Sequence, residues 1–259
     1  MNGDVGILAR VLARIRSGDV GRMPVVLALV VIAIVFQALN PVFLTSRNLS
    51  DMLMQCAALG TISLGIVLVL LIGEIDLSVG SMSGVAAAIL TVGAVQLQWP
   101  LGLAIGAALT AGAVVGAVYG LLRTTLGLPS FVVTLAGLLG LLGVQLWVLG
   151  DAGSINLPFD SWIVQFAQQM YLPAWLSYVL SAATALGYTG TLLGRARRRT
   201  AAELESDRTV SILIRGGLLL VGLVGGSWYL NLSRGVGVMF VLFVVLVVIA
   251  HFALTRTRW

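Results

Sequence analysis

Two carboxylates sit where an apolar chain should not tolerate them. In "LLIGEIDLSVGS", residues 70–81, Glu74 and Asp76 lie between Gly73 and Gly80, with oily segments on either side. A membrane core penalises an ionised side chain by roughly 2.5–3.5 kcal/mol on insertion scales. The pair must therefore mark a boundary, line a polar path, or shape the backbone. For Asp76 the simplest role is capping: its carboxylate is placed to accept from the free N–H groups around Ser78 and Val79 at the start of the next helix. Ser78 competes for that role. Glu74 has no such ready structural account, and the flanking glycines permit a tight turn.

Other reactive constellations are scarce. His251 is the single histidine, so no histidine cluster for a metal can form, and its place at the end of the last apolar run suits the membrane interface. No G-x-S-x-G nucleophile elbow occurs. All fifteen basic residues are arginine, so a phosphate loop of the G-x-x-x-x-G-K-[ST] type cannot be built and ATP hydrolysis would fall to another chain. Cys56 is alone, cannot form an internal disulfide, and reads as a small packing residue. These observations lead us to expect no catalytic residue, cofactor or metal.

The elements that must position the carboxylates are membrane helices. Only 10% of the 259 residues are charged, against about 25% in soluble domains, and mean hydropathy is +1.06. The expected fold class is all-α, a polytopic helical membrane protein of about eight transmembrane helices. Reading apolar runs against their breakers places them near 24–40, 51–72, 79–97, 101–122, 130–150, 171–191, 211–230 and 236–254. Pro24, Pro100, Pro129 and Pro173 stand near helix starts, where a missing N–H is tolerated. Gly112, Gly116 and Gly120 repeat every four residues, as do Gly222 and Gly226, a spacing that lets helix backbones approach closely.

Arginine sets the expected orientation. With residues 1–23 as a cytoplasmic N-terminal segment and 24–259 as the transmembrane domain, twelve arginines fall inside. They are Arg10, Arg14, Arg16, Arg22, Arg123, Arg195, Arg197, Arg198, Arg199, Arg208, Arg256 and Arg258. Arg47 and Arg234 fall outside, and Arg215 lies just within a span. This positive-inside bias makes both termini cytoplasmic and explains the net charge of +5 without nucleic acid. The first apolar run lacks a small-x-small cleavage site and reads as an uncleaved helix. Residues 151–170 form a periplasmic loop whose Trp162, Ile163, Phe166 and Met170 suit the membrane interface. Residues 194–209 form a cytoplasmic loop, a solvated helical extension whose basic cluster reads as an ordinary stop-transfer charge block ahead of a contact with anionic lipid.

The residues also carry a resemblance. "FLTSRNLSDMLMQCAALGTISLGIVLVLLIGEIDLSVGS" (43–81) and "GLPSFVVTLAGLLGLLGVQLWVLG" (127–150) resemble, in order and spacing, two phrases of ribose/xylose-type ABC sugar transporter permeases. The family phrases read F-L-S-x-x-N-L, then G-G-I-D-L-S-V-G, then P-S-F-I-V-T-L-x-G. The arginine-rich insertion at 194–209 leans toward the xylose branch. The resemblance implies a monosaccharide-translocating inner-membrane subunit, with a pentose such as xylose as cargo and a permease homodimer as its assembly. It implies as partners a cytoplasmic ABC ATPase subunit and a periplasmic sugar-binding protein. Matched by motif, the substrate-path residues are Asn48, Glu74, Asp76, Ser78, Ser130 and Thr134. The family more often has glycine where Glu74 stands. Its members also continue into a cytoplasmic docking stretch where this chain ends at "LTRTRW", so the chain reads as C-terminally truncated. Two other readings stay open: an ion-coupled secondary transporter using Glu74 and Asp76, and a non-transporting membrane fragment.

The orientation is testable with single cysteines in a Cys56→Ala background. An impermeant thiol reagent applied to intact cells is expected to modify Asp160→Cys and spare Arg198→Cys. The reverse pattern would invert the topology.

Overall fold

Large apolar side chains in this chain have only lipid or one another to turn to, and they turn outward. The computed structural model describes residues 23–202, 204 and 209–256. Arg10, Arg14, Arg16, Arg22, Arg208 and Arg258, and part of the 194–209 extension, lie outside the described residues. The helices are α1 (Met23–Leu39), α2 (Ser46–Leu71), α3 (Val79–Thr91, continued by a π turn Val92–Gln96), α4 (Leu101–Leu126) and α5 (Ser130–Leu149). They are followed by the short α6 (Trp162–Val164, continued by a π turn Gln165–Gln169), then α7 (Ala174–Ala201), α8 (Thr209–Asn231) and α9 (Val238–Arg256). Among the described residues there is no strand, only an isolated antiparallel bridge between Tyr171 and Gly237.

All eight spans read from the sequence recur as helices. Six are both long and apolar enough to cross a membrane: Ser46–Leu71, Val79–Gln96, Leu101–Leu126, Ser130–Ala152, Thr209–Asn231 and Val238–Thr255. α1 has 17 residues, a little under the roughly 20 that span a hydrocarbon core. α7 has 28 residues, but its second half carries Arg195, Arg197, Arg198 and Arg199, and hydroxyl residues interrupt its first. The helical extension expected beyond residue 194 is present to Ala201.

Local sequence sets the helix ends. Pro100, Pro129 and Pro173 stand directly before α4, α5 and α7 in extended conformation, where the lost N–H has no intrahelical partner to lose. Gly127 ends α4 in the left-handed region at φ +64°, its N–H donating to the Arg123 carbonyl. Gly73, at φ +80°, turns the chain out of α2.

Packing runs α3 against α5 and α4, α7 along α8, and α9 against α2. The buried set is mostly small or hydroxylated, with Ala57, Ala88, Ala104 and Ala185 beside Ser46, Ser50, Ser78, Ser81, Thr134, Ser177 and Ser227, and Val85, Val133, Leu141 and Ile212 as its larger members. Ile212 is the largest side chain among the fully buried. Leucines, valines and phenylalanines instead line the outside, as expected where lipid is as apolar as they are. Polar side chains join helices. Ser181 and Ser227 Oγ atoms lie 2.6 Å apart, and Asn231 Nδ2 donates to Ser177 Oγ at 2.8 Å. Such interhelical bonds average about 0.6 kcal/mol each in a bilayer.

Two packing expectations change. Cys56 is exposed on the outer face of α2 rather than packed. Of the four-residue glycine repeats, a side chain built at Gly116, Gly120, Gly222 or Gly226 would meet nothing within 4 Å. No neighbouring helix is seated on them. The close approaches fall on other glycines: Gly60 against Phe243, Gly84 against Gln145, Gly137 against Tyr119 and Gly216 against Thr189.

Gly216→Ala should therefore drive a methyl into the stiff Thr189 side chain of α7 and cost about 1–3 kcal/mol. Gly222→Ala, on an open face of the same helix, should be neutral or gain about 0.5–1 kcal/mol. Thermal unfolding in detergent micelles reads both, and equal melting temperatures would refute the assignment of the α7–α8 face.

Candidate functional site

The site begins where α2 stops and the chain runs non-helically before α3. A non-helical stretch leaves its own N–H and C=O groups without helical partners, and in or near a bilayer these must be satisfied by protein. Here α5 supplies them. Ile75 N–H donates to Ser130 Oγ at 3.3 Å and Leu77 N–H to Thr134 Oγ1 at 3.2 Å. Thr134 Oγ1 in turn donates to the Ile75 carbonyl at 3.2 Å. Thr134 is 4% exposed. Ser130 opens α5 and Thr134 follows one turn later, so both face the linker from one side of the helix.

Asp76 holds the turn into α3, reaching the Ser78 N–H of the two donors expected. Its Oδ1 accepts from Ser78 N–H and from Ser78 Oγ, each at 2.7 Å. Ser78 is the residue before α3, is 1% exposed, and turns its hydroxyl back to Asp76 rather than onto the helix. The carboxylate does not reach Val79. This is an Asx turn that sets up the helix start, and Ser78 is its partner rather than its competitor.

Glu74 forms an ion pair with Arg123 near the end of α4. The Glu74 side chain is 13% exposed and that of Arg123 50%. Five of the six motif residues, Glu74, Asp76, Ser78, Ser130 and Thr134, thus meet in one junction of α2, α3, α4 and α5. Asn48 does not join them. It lies at the other end of α2, roughly 35 Å away along the helix, where its Nδ2 donates to the Phe43 carbonyl at 2.6 Å and closes the preceding turn.

That opposite end holds a second polar cluster that the sequence did not reveal. Arg234 Nη1 lies 2.9 Å from Asp51 Oδ1 and 3.2 Å from the Tyr171 hydroxyl. The Tyr171 hydroxyl and then the Asp51 carboxylate raise the Arg234 guanidinium above its ordinary value. Beneath it Ser50 Oγ donates to the Gly235 carbonyl at 2.9 Å, and Ser46 Oγ lies 2.8 Å from Ser233 Oγ. These pairs are separated by 63 to 187 residues, so no local spacing could have announced them. Arg123 was missed for the same reason, having been read as one more topology charge. Among the described residues no group of histidine, cysteine or acidic side chains could hold a metal.

Comparison with known proteins fits this geometry. The family described as "Branched-chain amino acid transport system / permease component" matches residues 48–259. The chain belongs to that permease family. It is 34% identical over 217 residues to the xylose transport system permease protein XylH of Escherichia coli K12, covering 84% of this chain and 54% of that protein. The XylH of Haemophilus influenzae is 28% identical over 234 residues, 89% of this chain and 60% of that one. The ribose import permease protein RbsC of Escherichia coli K12 is 33% identical over 133 residues, 51% of this chain and 41% of that one. The chain spans little more than half the length of the xylose permeases it matches. No solved structure matches it. Family membership and six membrane-length apolar helices make this a multi-pass protein of the bacterial inner membrane.

Asp76→Asn should leave the turn intact, because the amide oxygen still accepts from Ser78. Asp76→Leu removes that acceptor and strands the Ser78 N–H, at about 1–3 kcal/mol. Folded yield after membrane extraction is expected to hold for the first and fall for the second. If Asn lowers the yield as much as Leu, the negative charge is required and the Asx turn is not the role.

Proposed function

We propose that this chain is the membrane-spanning subunit of an ATP-driven importer that moves a monosaccharide, a pentose such as xylose, into the cell. The observation that carries this reading is the likeness to XylH across 84% of the chain. It is supported by the way the two phrases named from the sequence, 43–81 and 127–150, bond to each other in three dimensions, Ile75 and Leu77 of the first to Ser130 and Thr134 of the second. We place the substrate path against that junction. Asp76, Ser78 and Thr134 hold its backbone, while Glu74 and Ser130 face the space around it.

The chain is a transport subunit and not an enzyme. The likeness to the permeases supports a separate cytoplasmic ABC ATPase as the source of energy and a periplasmic sugar-binding protein as the source of cargo, and a lysine-free chain that cannot build a G-x-x-x-x-G-K-[ST] loop agrees with it. A second copy of the permease completes the path, and membrane lipid covers the remaining apolar faces. Residues 151–170 face the periplasm in this arrangement, and both termini the cytoplasm. Five of the six tryptophans, Trp99, Trp147, Trp162, Trp175 and Trp228, cluster toward the end of the bundle opposite Arg123 and the arginines of α7. Their amphipathic rings suit the outer headgroup layer. The α6 segment belongs to the same layer, with the Trp162 and Phe166 rings stacked at 5.1 Å.

An ion-coupled transporter would need a carboxylate free to take up a proton or sodium. Glu74 is committed to Arg123 and one oxygen of Asp76 to Ser78, which disfavours that reading. Proteoliposomes holding this chain with its ATPase and binding protein decide the matter. Pentose uptake should require internal or external ATP on the ATPase side and survive a protonophore. Uptake that collapses with the protonophore and ignores ATP would establish the ion-coupled mechanism instead. Failure to co-purify with any ATPase would favour a non-transporting fragment.

A further inference from the structure

Behind the Glu74–Arg123 pair lies a cavity of 230 Å³, walled by the end of α2 at Val69 and Ile72, by α4 at Gly116, Tyr119 and Gly120, and by the start of α5. In front of the pair an open basin of 410 Å³ is bounded by residues 127–131. Glu74, Arg123, Thr124 and Ser130 line both spaces. The ion pair therefore borders both spaces; we call the first the inner chamber for its place behind the pair, although it is itself open where Ile72 is 70% and Ile75 50% exposed.

The inner chamber exists because α4 gives up side chains there. Gly116 and Gly120 stand one turn apart, and a methyl at either would meet nothing within 4 Å. Glycine within a helix costs roughly 0.5–1 kcal/mol relative to alanine, and here the cost secures no helix contact, only room. Between them the Tyr119 ring forms part of the wall. Its hydroxyl is laid over Gly137 of α5, buried and without a hydrogen-bond partner among the described residues. An orphaned buried hydroxyl costs about 1–3 kcal/mol, so the position of this side chain is held against its own solvation preference.

We propose that the inner chamber is a subsite for a neutral polyhydroxylated solute, a monosaccharide, with Arg123 and Tyr119 as contacts that the motif reading did not include. The proposal rests on the importer reading above and extends it to named side chains. A sugar presents a hydroxyl edge that both donates and accepts, and a C–H face that packs on rings and aliphatic walls. The chamber matches both. Asp76 uses one oxygen for Ser78 and keeps the other as an acceptor, and among the described residues the Ser130 hydroxyl accepts from Ile75 but donates to no protein group. Arg123 carries five N–H donors and spends part of them on Glu74. Tyr119, Ile72 and Val133 supply the apolar face. A cation is disfavoured because Arg123 offsets Glu74. A lipid tail would have no use for the carboxylates and the hydroxyl.

The test fills the chamber without disturbing the protein's own packing. Gly116→Val and Gly120→Val add bulk into open space, and Gly222→Val on the outer face of α8 serves as control. In proteoliposomes with the ATPase and binding protein, the two chamber variants should lose xylose uptake about ten-fold or more, while folded yield and the control stay at wild-type level. Independently, Gly120→Cys in a Cys56→Ala background should react with a small thiol reagent, and millimolar xylose should slow that reaction where an uncharged amino acid does not. Wild-type uptake that persists unchanged in both valine variants, with no protection by sugar, would overturn the subsite while leaving the importer standing. Absence of ATP-driven monosaccharide uptake by the wild type would instead defeat the importer reading, and the subsite with it.

Discussion

The Thr134 hydroxyl is the point on which the inner junction depends. It accepts from Leu77 N–H and donates to the Ile75 carbonyl, so one buried side-chain oxygen replaces two of the backbone bonds that a helix would have provided. Within a bilayer such a substitution is close to obligatory, because unsatisfied backbone groups cost several kcal/mol and water is not at hand. A chain that breaks its helix near the membrane must bring a polar side chain to the break. Here α5 brings two, Ser130 and Thr134, one turn apart. That requirement fixes where α5 stands relative to α2 and α3. It also fixes where α4 can end, and so brings Arg123 within reach of Glu74.

The rest of the packing follows from having lipid outside. With no gain from burying leucine against leucine, the helices approach through small residues and hydroxyls, and bulk goes outward. Gly137 under Tyr119 and Gly216 under Thr189 show this well, since each accepts a neighbour's side chain directly against its backbone. The same economy explains why a glycine repeat does not always mark a helix contact. On α4 the repeat clears space rather than closing it.

The sequence made the helices and the inner junction legible, for separate reasons. Helices show as apolar runs between prolines and arginines, a signal carried within about twenty residues. The junction showed because two phrases with polar residues in apolar surroundings had no other reason to exist. The role of Asp76 was readable to within one residue, since an Asx turn and a helix cap use the same oxygen on neighbouring N–H groups. What stayed hidden was pairing at a distance. Arg123 looked like any inside charge until Glu74 was beside it, and Asp51, Tyr171 and Arg234 come from three elements with no shared spacing. Asn48 shared a motif with the junction yet serves a turn at the other end of α2. Neighbours in a motif need not be neighbours in space when a membrane-long helix separates them.

α2 is thereby held at both ends, and by two kinds of bond at each. At its N-terminal end Ser50 bonds to the Gly235 carbonyl while Asp51 pairs with Arg234; at its C-terminal end Thr134 clasps the linker while Glu74 pairs with Arg123. The two kinds differ in how readily they part. The Ser50 and Thr134 side chains are buried, so breaking either bond leaves a backbone group without its partner. The ion pairs are partly exposed, with Arg234 and Asp51 side chains 38% and 36% accessible and Arg123 half open, and water can replace each partner. Under the importer reading we propose, alternation between two states would use joints of the second kind and pivots of the first. In this chain the pivots are the hydroxyls that satisfy backbone. The joints are the salt bridges beside them, and one of those joints, Glu74–Arg123, lines both cavities.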